Sequence, residues 1–449
     1  MVQSHRFRKK PVAFFVAGTI LLYITGNALN KPDLVIKILT ILTALIVLTV
    51  NGLQAGRFVT IGQVARQDTV ATADSAQKVM QKDLIDVLRR WKSKDKSDSV
   101  RVPKIKSGKP IFSLVPAGGY TLSSGLTGSL NANIAFYTSN PKTTNISSIT
   151  TNFIYTEYKQ MTIPVQANIW TRHNDYNFVV DWRFFKYPQD TYGLGMDSKI
   201  RDATNLKYKH LRSHQTVLKR IGKSFFVGLG FAYDKRWQIM QSDKEEKLNQ
   251  DIKDYGLGNK SSSVGPLVTV AYDSRTNSIN PLKGFYSNVQ FRPNMKSLGS
   301  TNSWQAVVID VRRYFNFPQG SQNTLAFWNY NWLTVGKPPY LDLPATGWDP
   351  TNNIGRGYIQ GRFRGTNLLY FESEYRFAFT KNGLFGGVIF ANAQSVSDWP
   401  SKSFRKIAPA GGLGIRIKVN KTSGANIAID YGFGMDGSRG LFVNLGEVF

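Results

Sequence analysis

The sequence predicts an all-β transmembrane barrel of about sixteen antiparallel strands, preceded by a short N-terminal helical or signal segment. Apolar and polar residues alternate through most of the chain after residue 110. Long connections between the strand candidates alternate with short ones. The composition, with 39 glycines, 13% aromatic residues and no cysteine, is typical of a β-rich chain. Alternation at period two indicates strands, and long loops opposite tight turns are typical of outer-membrane barrels.

Residues 1–55 contain two apolar runs, residues 11–29 and 34–55, and are expected to direct export. Their second apolar run, residues 34–55, predicts a signal peptide, because Lys37 supplies a positive start and a small-residue cleavage site ends at Ala55. Residues 1–34 are then an over-extended coding start or an unusual n-region of the signal peptide. A retained helical hairpin is the alternative, since about 20 apolar residues can span a bilayer.

Residues 56–106 form a short polar segment that is expected to be a periplasmic linker. Leu84, Val87, Leu88 and Trp91 follow the i, i+3, i+4, i+7 spacing that predicts one amphipathic helix. The segment is too short for an ordinary domain of about 100 residues. A plug or a partner-binding helix is the alternative to a plain lead-in, because periodicity alone does not separate them.

The barrel is expected over residues 107–449. Phe178 and Trp182 lie on one face of a predicted strand and Arg183 on the other, which is the pattern of a wall between lipid and lumen. A soluble two-sheet sandwich would show the same alternation. The even number of strands and the unequal connections favour the barrel, in which closure pairs the backbone amides. The strand candidates are residues 111–119, 124–138, 147–157, 160–171, 175–187, 207–221, 224–236, 265–273, 284–293, 304–316, 324–334, 368–379, 384–396, 410–419, 425–434 and 440–449.

The net charge of +28 does not indicate a nucleic-acid-binding protein. Nucleic-acid sites concentrate lysine and arginine on one arm, helix or patch. Here the basic residues are spread along the chain and alternate with apolar ones, as in residues 413–419. We expect instead a basic lumen or rim that faces acidic lipids and sugars.

Neither a cofactor nor an enzymatic activity is expected. The absence of cysteine excludes disulfides, thiolate zinc sites and iron–sulfur clusters. His210 and His214 lie close to Ser213, but adjacent residues of a strand face opposite sides, so Ser213 and His214 do not predict a catalytic triad. The chain also has no Gly-x-Ser-x-Gly nucleophile elbow.

Four short motifs in the second half of the chain resemble those of the BamA/TamA superfamily (bacterial surface antigen) of outer-membrane barrels. They are Asp273-Ser274-Arg275-Thr276-Asn277; Gly355-Arg356-Gly357-Tyr358; Gly361-Arg362-Phe363-Arg364-Gly365 with Glu372 to Phe377 behind it; and Gly412 to Arg416 with Asp430-Tyr431-Gly432 and Gly446 to Phe449. In that family the Arg-Gly-Phe/Tyr motif lies on the sixth extracellular loop, which folds back into the barrel. The strand count places Arg356 in the same loop.

The resemblance implies insertion of other barrels or passage of polypeptides, with the first and last strands meeting at a weak seam. Assembly and secretion members carry POTRA domains ahead of the barrel, and residues 56–110 cannot hold one of ordinary size. A chain without POTRA domains is therefore expected. Pro116, Gly118 and Gly119 interrupt the first strand, which predicts poor pairing with the last.

Arg356 is the principal candidate site residue. A cation on a loop inside the lumen requires carboxylates, and inward-facing Glu372 and Glu374 are the available partners. Gly357 beside it permits a tight loop tip, and Tyr358 completes the motif. The resemblance implies an aspartate on the strand after these glutamates. This chain has Asn392 there, which can form hydrogen bonds but cannot neutralise charge.

The resemblance also implies a last strand that carries an assembly signal. Its expected residues, with the terminal aromatic side chain in the strand, are Leu441, Val443, Leu445, Gly446 and Phe449. Together these features predict a bacterial outer-membrane protein involved in barrel assembly or polypeptide translocation. A passive pore or a structural subunit of a larger complex is the alternative. The expected partners are outer-membrane lipids and other outer-membrane or periplasmic proteins.

Overall fold

The computed structural model describes residues 82–84, 86–87, 110–141, 143–241, 250–275, 277–420 and 424–449. The predicted leader, residues 1–55, lies outside the described residues, as do most of the predicted linker and Leu88 and Trp91 of its helix. Leu84 and Val87 are helical. Within the described residues, none of the helices combines the length and the apolar character needed to cross a membrane.

From residue 110 onward, seventeen β-strands and one short α-helix, α1 (Gln250–Tyr255), make up the described fold. Short 3-10 helices occur at Arg172–Asn174, Ile200–Asp202, Lys296–Leu298 and Tyr340–Asp342. The strands are β1 (Ile111–Thr121), β2 (Gly125–Phe136), β3 (Ser147–Thr156), β4 (Met161–Trp170), β5 (Tyr176–Lys186), β6 (Gln189–Thr191), β7 (Thr204–Arg220), β8 (Phe225–Gln241), β9 (Lys260–Asp273), β10 (Gly284–Asn294), β11 (Trp304–Asn316), β12 (Thr324–Gly336), β13 (Asn367–Ala378), β14 (Phe385–Val396), β15 (Ala408–Asn420), β16 (Ala425–Gly434) and β17 (Arg439–Leu445).

The strands form one antiparallel meander that curls into a nearly closed barrel. Each strand pairs with the next along the chain, except that the three-residue β6 pairs with the start of β7 while β5 pairs with the rest of it. Sixteen strands therefore build the wall, as the sequence predicts. β17 and β1 lie side by side, but no hydrogen-bonded register joins them among the strands that the structure describes. We call this β1–β17 boundary the seam.

Alternation along strands such as β5 and β13 separates an outer apolar face from an inner polar one. On β5, Phe178 and Trp182 are exposed on the outside, whereas Asn177 and Arg183 are buried inside. β13 repeats the pattern, with Phe371 outside and a row of buried polar residues inside. An apolar exterior with a polar interior is the arrangement expected of a barrel in a bilayer.

The connections differ between the two ends of the barrel. At one end lie the long segments 187–203, 337–366 and 397–407 together with residues 250–259, and at the other most of the described connections are short turns. Residues 337–366, between β12 and β13, fold into the barrel, where Tyr340, Arg356 and Phe363 are buried. We call this segment the lumen loop.

The last predicted strand, residues 440–449, is shorter than expected. β17 ends at Leu445, and Gly446 adopts a left-handed conformation with φ of 98° that turns the chain inward. Phe449 is therefore inside the barrel, with its ring 5.1 Å from that of Trp328, and the prediction that it belongs to the last strand is wrong. The physical reason is the pairing of Glu447 with arginines of the inner wall. Leu441, Val443 and Leu445 remain in β17.

Candidate functional site in the barrel lumen

The lumen loop is fixed to the wall on two sides. On the β8–β9 side, the Asp342 carboxylate accepts hydrogen bonds from Arg236 at 2.5 Å and from Ser263 at 2.8 Å. On the β13–β16 side, the Arg356 motif lies against the wall. Asn353 of the same loop also donates to the main-chain carbonyl of Val448 at 2.8 Å. The loop thus meets residues 446–449 inside the barrel.

The turn at Arg356 depends on glycine. Gly357 has a φ of 102°, and a Cβ on it would lie 2.8 Å from the Cβ of Ala410. Only glycine adopts this conformation readily at so close an approach. The Ser438 hydroxyl donates to the carbonyl of Gly357 at 2.8 Å, and the Tyr358 hydroxyl donates to that of Pro409 at 2.6 Å. These contacts bring the motif against β15 and the segment before β17.

The Arg356 guanidinium is buried among three carboxylates. One terminal nitrogen donates to Asp430 of β16 at 2.7 Å, and the other contacts both Glu372 and Glu374 of β13. The guanidinium also stacks on Phe390 of β14, with 3.9 Å between its central carbon and the ring centroid. A planar cation with several donors suits this arrangement better than the single ammonium of a lysine.

Two further arginines extend the cluster. Arg376 donates to Glu374 at 2.6 Å, and Arg416 donates to Asp430 at 2.6 Å and to Glu447 at 2.8 Å. Arg376 also donates to the main-chain carbonyl of Phe449. The result is a buried network that links the lumen loop, three wall strands and the segment after β17. We call the three arginines and their four carboxylates the lumen ion cluster: Arg356, Arg376, Arg416, Glu372, Glu374, Asp430 and Glu447.

The charges of Arg356 and Glu447 in the cluster are stabilised by their partners. Burial opposes the charged form of Arg356, but the three carboxylates around it hold its pKa well above the usual value. Burial likewise opposes ionisation of Glu447, but Arg416 and Arg376 hold the pKa of Glu447 below its usual value. By contrast, burial lowers the pKa of Arg364, whose hydrogen bonds go to main-chain carbonyls. The cluster is therefore suited to fixing the loop by charge.

The structure brings most of the predicted site residues together, but Asn392 does not contact the Arg356 guanidinium. Arg356, Glu372 and Glu374 come together, and Gly357 and Tyr358 form the adjoining turn. Asn392 is close, but its amide donates to the main-chain carbonyl of Arg356 at 3.0 Å and does not contact the guanidinium. The functional role of these residues remains a prediction.

Sequence reasoning missed two carboxylates of the cluster. Asp430 belongs to one of the motifs that carry the resemblance, but its pairing with Arg356 is not predicted. Nothing in the alternation pattern identifies Glu447, because it lies beyond the end of β17.

The two histidines meet an aspartate and not a nucleophile. His210 and His214 hydrogen-bond to the two carboxylate oxygens of Asp234, at 2.9 and 2.7 Å. Ser213 is on the opposite face of β7, where its hydroxyl donates to Gln215. Ser213 and His214 thus face opposite sides of β7, as expected for adjacent residues of a strand. Within the described residues, no group of histidine, aspartate and glutamate side chains has the arrangement of a metal site.

Comparisons with known proteins identify the fold. Neither a protein-family model nor a curated protein matches the sequence. Among solved structures, the chain is similar to BamA from Haemophilus ducreyi lacking POTRA domains 1–3, with 14% identity and a TM-score of 0.51 over 75% of this chain and 70% of that one. It is also similar to CdiB from Acinetobacter baumannii, with 13% identity and a TM-score of 0.50 over 76% of this chain and 60% of that one. The predicted resemblance is thereby confirmed at the level of the barrel fold.

Proposed function

We propose that this chain, which has the barrel fold of BamA and CdiB, is an outer-membrane protein of the BamA/TamA type that inserts or translocates polypeptides. The observation that carries the proposal is the seam. All other neighbouring strands of the described wall are joined by hydrogen-bonded registers, whereas β17 and β1 are adjacent without one.

The seam presents a strand edge that can receive another strand. β1 pairs with β2 over its full eleven residues, so its other edge faces β17. β17 has only seven residues, all paired with β16. Exposed strand edges are templates for β-augmentation, and unpaired backbone groups are costly within a bilayer. A polypeptide that adds a strand at this edge would satisfy them.

The filled lumen argues against a passive pore. The lumen loop is bound to β8 and β9 through Asp342 and to β13 and β16 through Arg356. Residues 446–449 fold in and meet this loop at Asn353. A conducting channel would need both segments to leave the barrel, and their buried ion pairs oppose that.

The outer face supports the proposed location and partners. Large apolar side chains such as Leu114, Leu229 and Leu413 are exposed by 61–69% on the outside of the wall. An apolar face of this kind fits contact with outer-membrane lipids. Other outer-membrane or periplasmic proteins are the proposed macromolecular partners, and the proposal involves neither a cofactor nor nucleic acid.

A disulfide across the seam tests this function. The Cγ atom of Leu122 lies 2.7 Å from the position of a Cβ on Gly440, so cysteines at these two positions are close enough to bond. The chain has no cysteine of its own, which makes the crosslink specific. The assay is the rate at which a small unfolded outer-membrane barrel inserts into liposomes that contain the Leu122→Cys/Gly440→Cys protein.

The control is a crosslink between strands that are already paired. Thr127 and Thr156 are register partners on β2 and β3, near the same end of the barrel. We expect the oxidised seam variant to lose acceleration of insertion and to recover it on reduction. The oxidised Thr127→Cys/Thr156→Cys variant should stay active. Equal acceleration by the oxidised and reduced seam variant would refute the proposal.

A further inference from the structure

A cavity of about 470 Å³ lies between the lumen loop and the barrel wall. β3, β4, β5, β7, β8, β9 and β10 to β12 contribute to its wall, and Leu341 to Leu343, Trp348 and Pro350 contribute from the loop. Among the residues that line it, none belongs to the lumen ion cluster. Its volume falls within the range of small-molecule sites in proteins.

The acidic groups of this cavity are already bound by its wall. Four arginines and three aspartates line it. Asp234 is contacted by two histidines and by Arg212 and Arg292, while Asp342 accepts from Arg236 and a serine. Asp181 accepts from Arg183 at 2.5 Å. The aspartates therefore offer little further acceptor capacity to a ligand. Each of the four arginines contacts one of the aspartates, and the arginines outnumber them by one.

The groups left without partners are hydrogen-bond donors. Arg292 Nε, Trp332 Nε1 and Trp348 Nε1 are buried and have no hydrogen-bond partner in the part of the chain that the structure describes. All three residues line this cavity. These nitrogens can only donate, and buried donors are nearly always paired in proteins. A molecule in the cavity that supplies acceptors would satisfy these donors once their side chains turn toward it.

We propose that this cavity binds a small anionic ligand that carries a phosphate or carboxylate group and has the size of a sugar phosphate. Arginine is suited to phosphate and carboxylate because its planar donors match their oxygens. The indole rings of Trp332 and Trp348 supply apolar area beside their N–H donors, which suits the rest of the ligand. Such a ligand would contact the wall through Trp332 and the lumen loop through Trp348.

Calorimetric titration of the protein in a neutral detergent tests the site. The probes are glucose 1-phosphate, inorganic phosphate and uncharged glucose. Trp348→Phe and Trp332→Phe each remove one donor and keep an aromatic ring. Trp182→Phe is the matched control, because Trp182 is 49% exposed on the outer face of β5. Gel mobility before and after heating verifies that each variant is folded.

We expect saturable binding of glucose 1-phosphate, binding of inorganic phosphate, and none of glucose. Loss of one hydrogen bond to a charged group should weaken glucose 1-phosphate binding about tenfold in either cavity variant and leave the Trp182→Phe protein unchanged. Repetition in phosphatidylglycerol nanodiscs identifies the source: competition by the lipid indicates a headgroup, and undiminished binding indicates a soluble anion.

Three results would overturn the proposal. They are absence of saturable binding, equal binding of glucose, and unchanged affinity in both folded cavity variants. Each can be obtained whether or not the protein inserts polypeptides, so this site and the proposed function fail independently.

Discussion

Replacement of Arg356 by alanine should destabilise the folded barrel by about 3–5 kcal/mol. The magnitude follows from the partners that remain. Without Arg356, Glu374 and Asp430 each keep an arginine of the wall at 2.6 Å, whereas Glu372 keeps a tyrosine hydroxyl and no cation among the described residues. Glu372 is fully buried, so the substitution leaves one carboxylate without a cation inside the protein. Removal of one partner from a buried ion pair has a cost of this size.

The assay is unfolding in detergent, followed by the gel mobility of the heat-treated barrel. Arg201→Ala is the control, because the Arg201 side chain is 77% exposed. Its removal should leave the midpoint of the unfolding transition unchanged. Addition of Glu372→Gln to Arg356→Ala should recover most of the loss, since a neutral amide needs no cation. An Arg356→Ala midpoint equal to that of the unmodified protein, or failure of Glu372→Gln to rescue it, would refute this account of the lumen ion cluster.

Three further substitutions can be measured in the same unfolding assay. Asn392→Asp should destabilise by about 1–3 kcal/mol, because a carboxylate cannot donate to the Arg356 carbonyl; equal or greater stability would contradict this. Gly357→Ala should cost more than about 1 kcal/mol and more than Gly256→Ala, since both glycines have positive φ but only Gly357 is crowded. Glu447→Gln should lower the free energy of unfolding at neutral pH. The difference in this free energy between the variant and the unmodified protein should disappear as the pH falls below the usual carboxyl range, because the pKa of Glu447 is lowered in the folded protein. A difference independent of pH would show that its charge is not involved.

Strand positions could be predicted from the sequence because lipid and lumen impose opposite demands on successive residues. The prediction for β13, residues 368–379, differs from the observed Asn367–Ala378 by one residue at each end. The prediction is poorer where a strand leaves the bilayer. The sequence predicts that β8 ends at residue 236, whereas the strand extends to Gln241. Its seventeen residues exceed the roughly 9–11 that span a membrane. The far end alternates less regularly, and the pattern therefore does not mark it as strand.

The candidate site could be predicted only in part, since local alternation says which way a side chain faces but not what it meets. Glu372 and Glu374 could be linked to Arg356 because the strand count places their strand directly after the loop. Asp430 lies 74 residues further along the chain from Arg356. That contact depends on how deeply the loop enters the barrel, which is a property of the closed fold and not of any local pattern.

The placement of the lumen contacts bears on how the seam could open. Arg356 is bound to β13 and β16, and Tyr358 to Pro409 of β15, so the tip of the lumen loop belongs to the wall on one side of the seam. Separation of β17 from β1 would break no hydrogen-bonded register that the structure describes and would leave these contacts intact. Asp342, bound to Arg236 of β8, ties the same loop to the opposite wall and limits how far the two sides move apart. If the protein acts as proposed, the lumen contacts would hold the barrel together while the edge at the seam opens to receive a polypeptide.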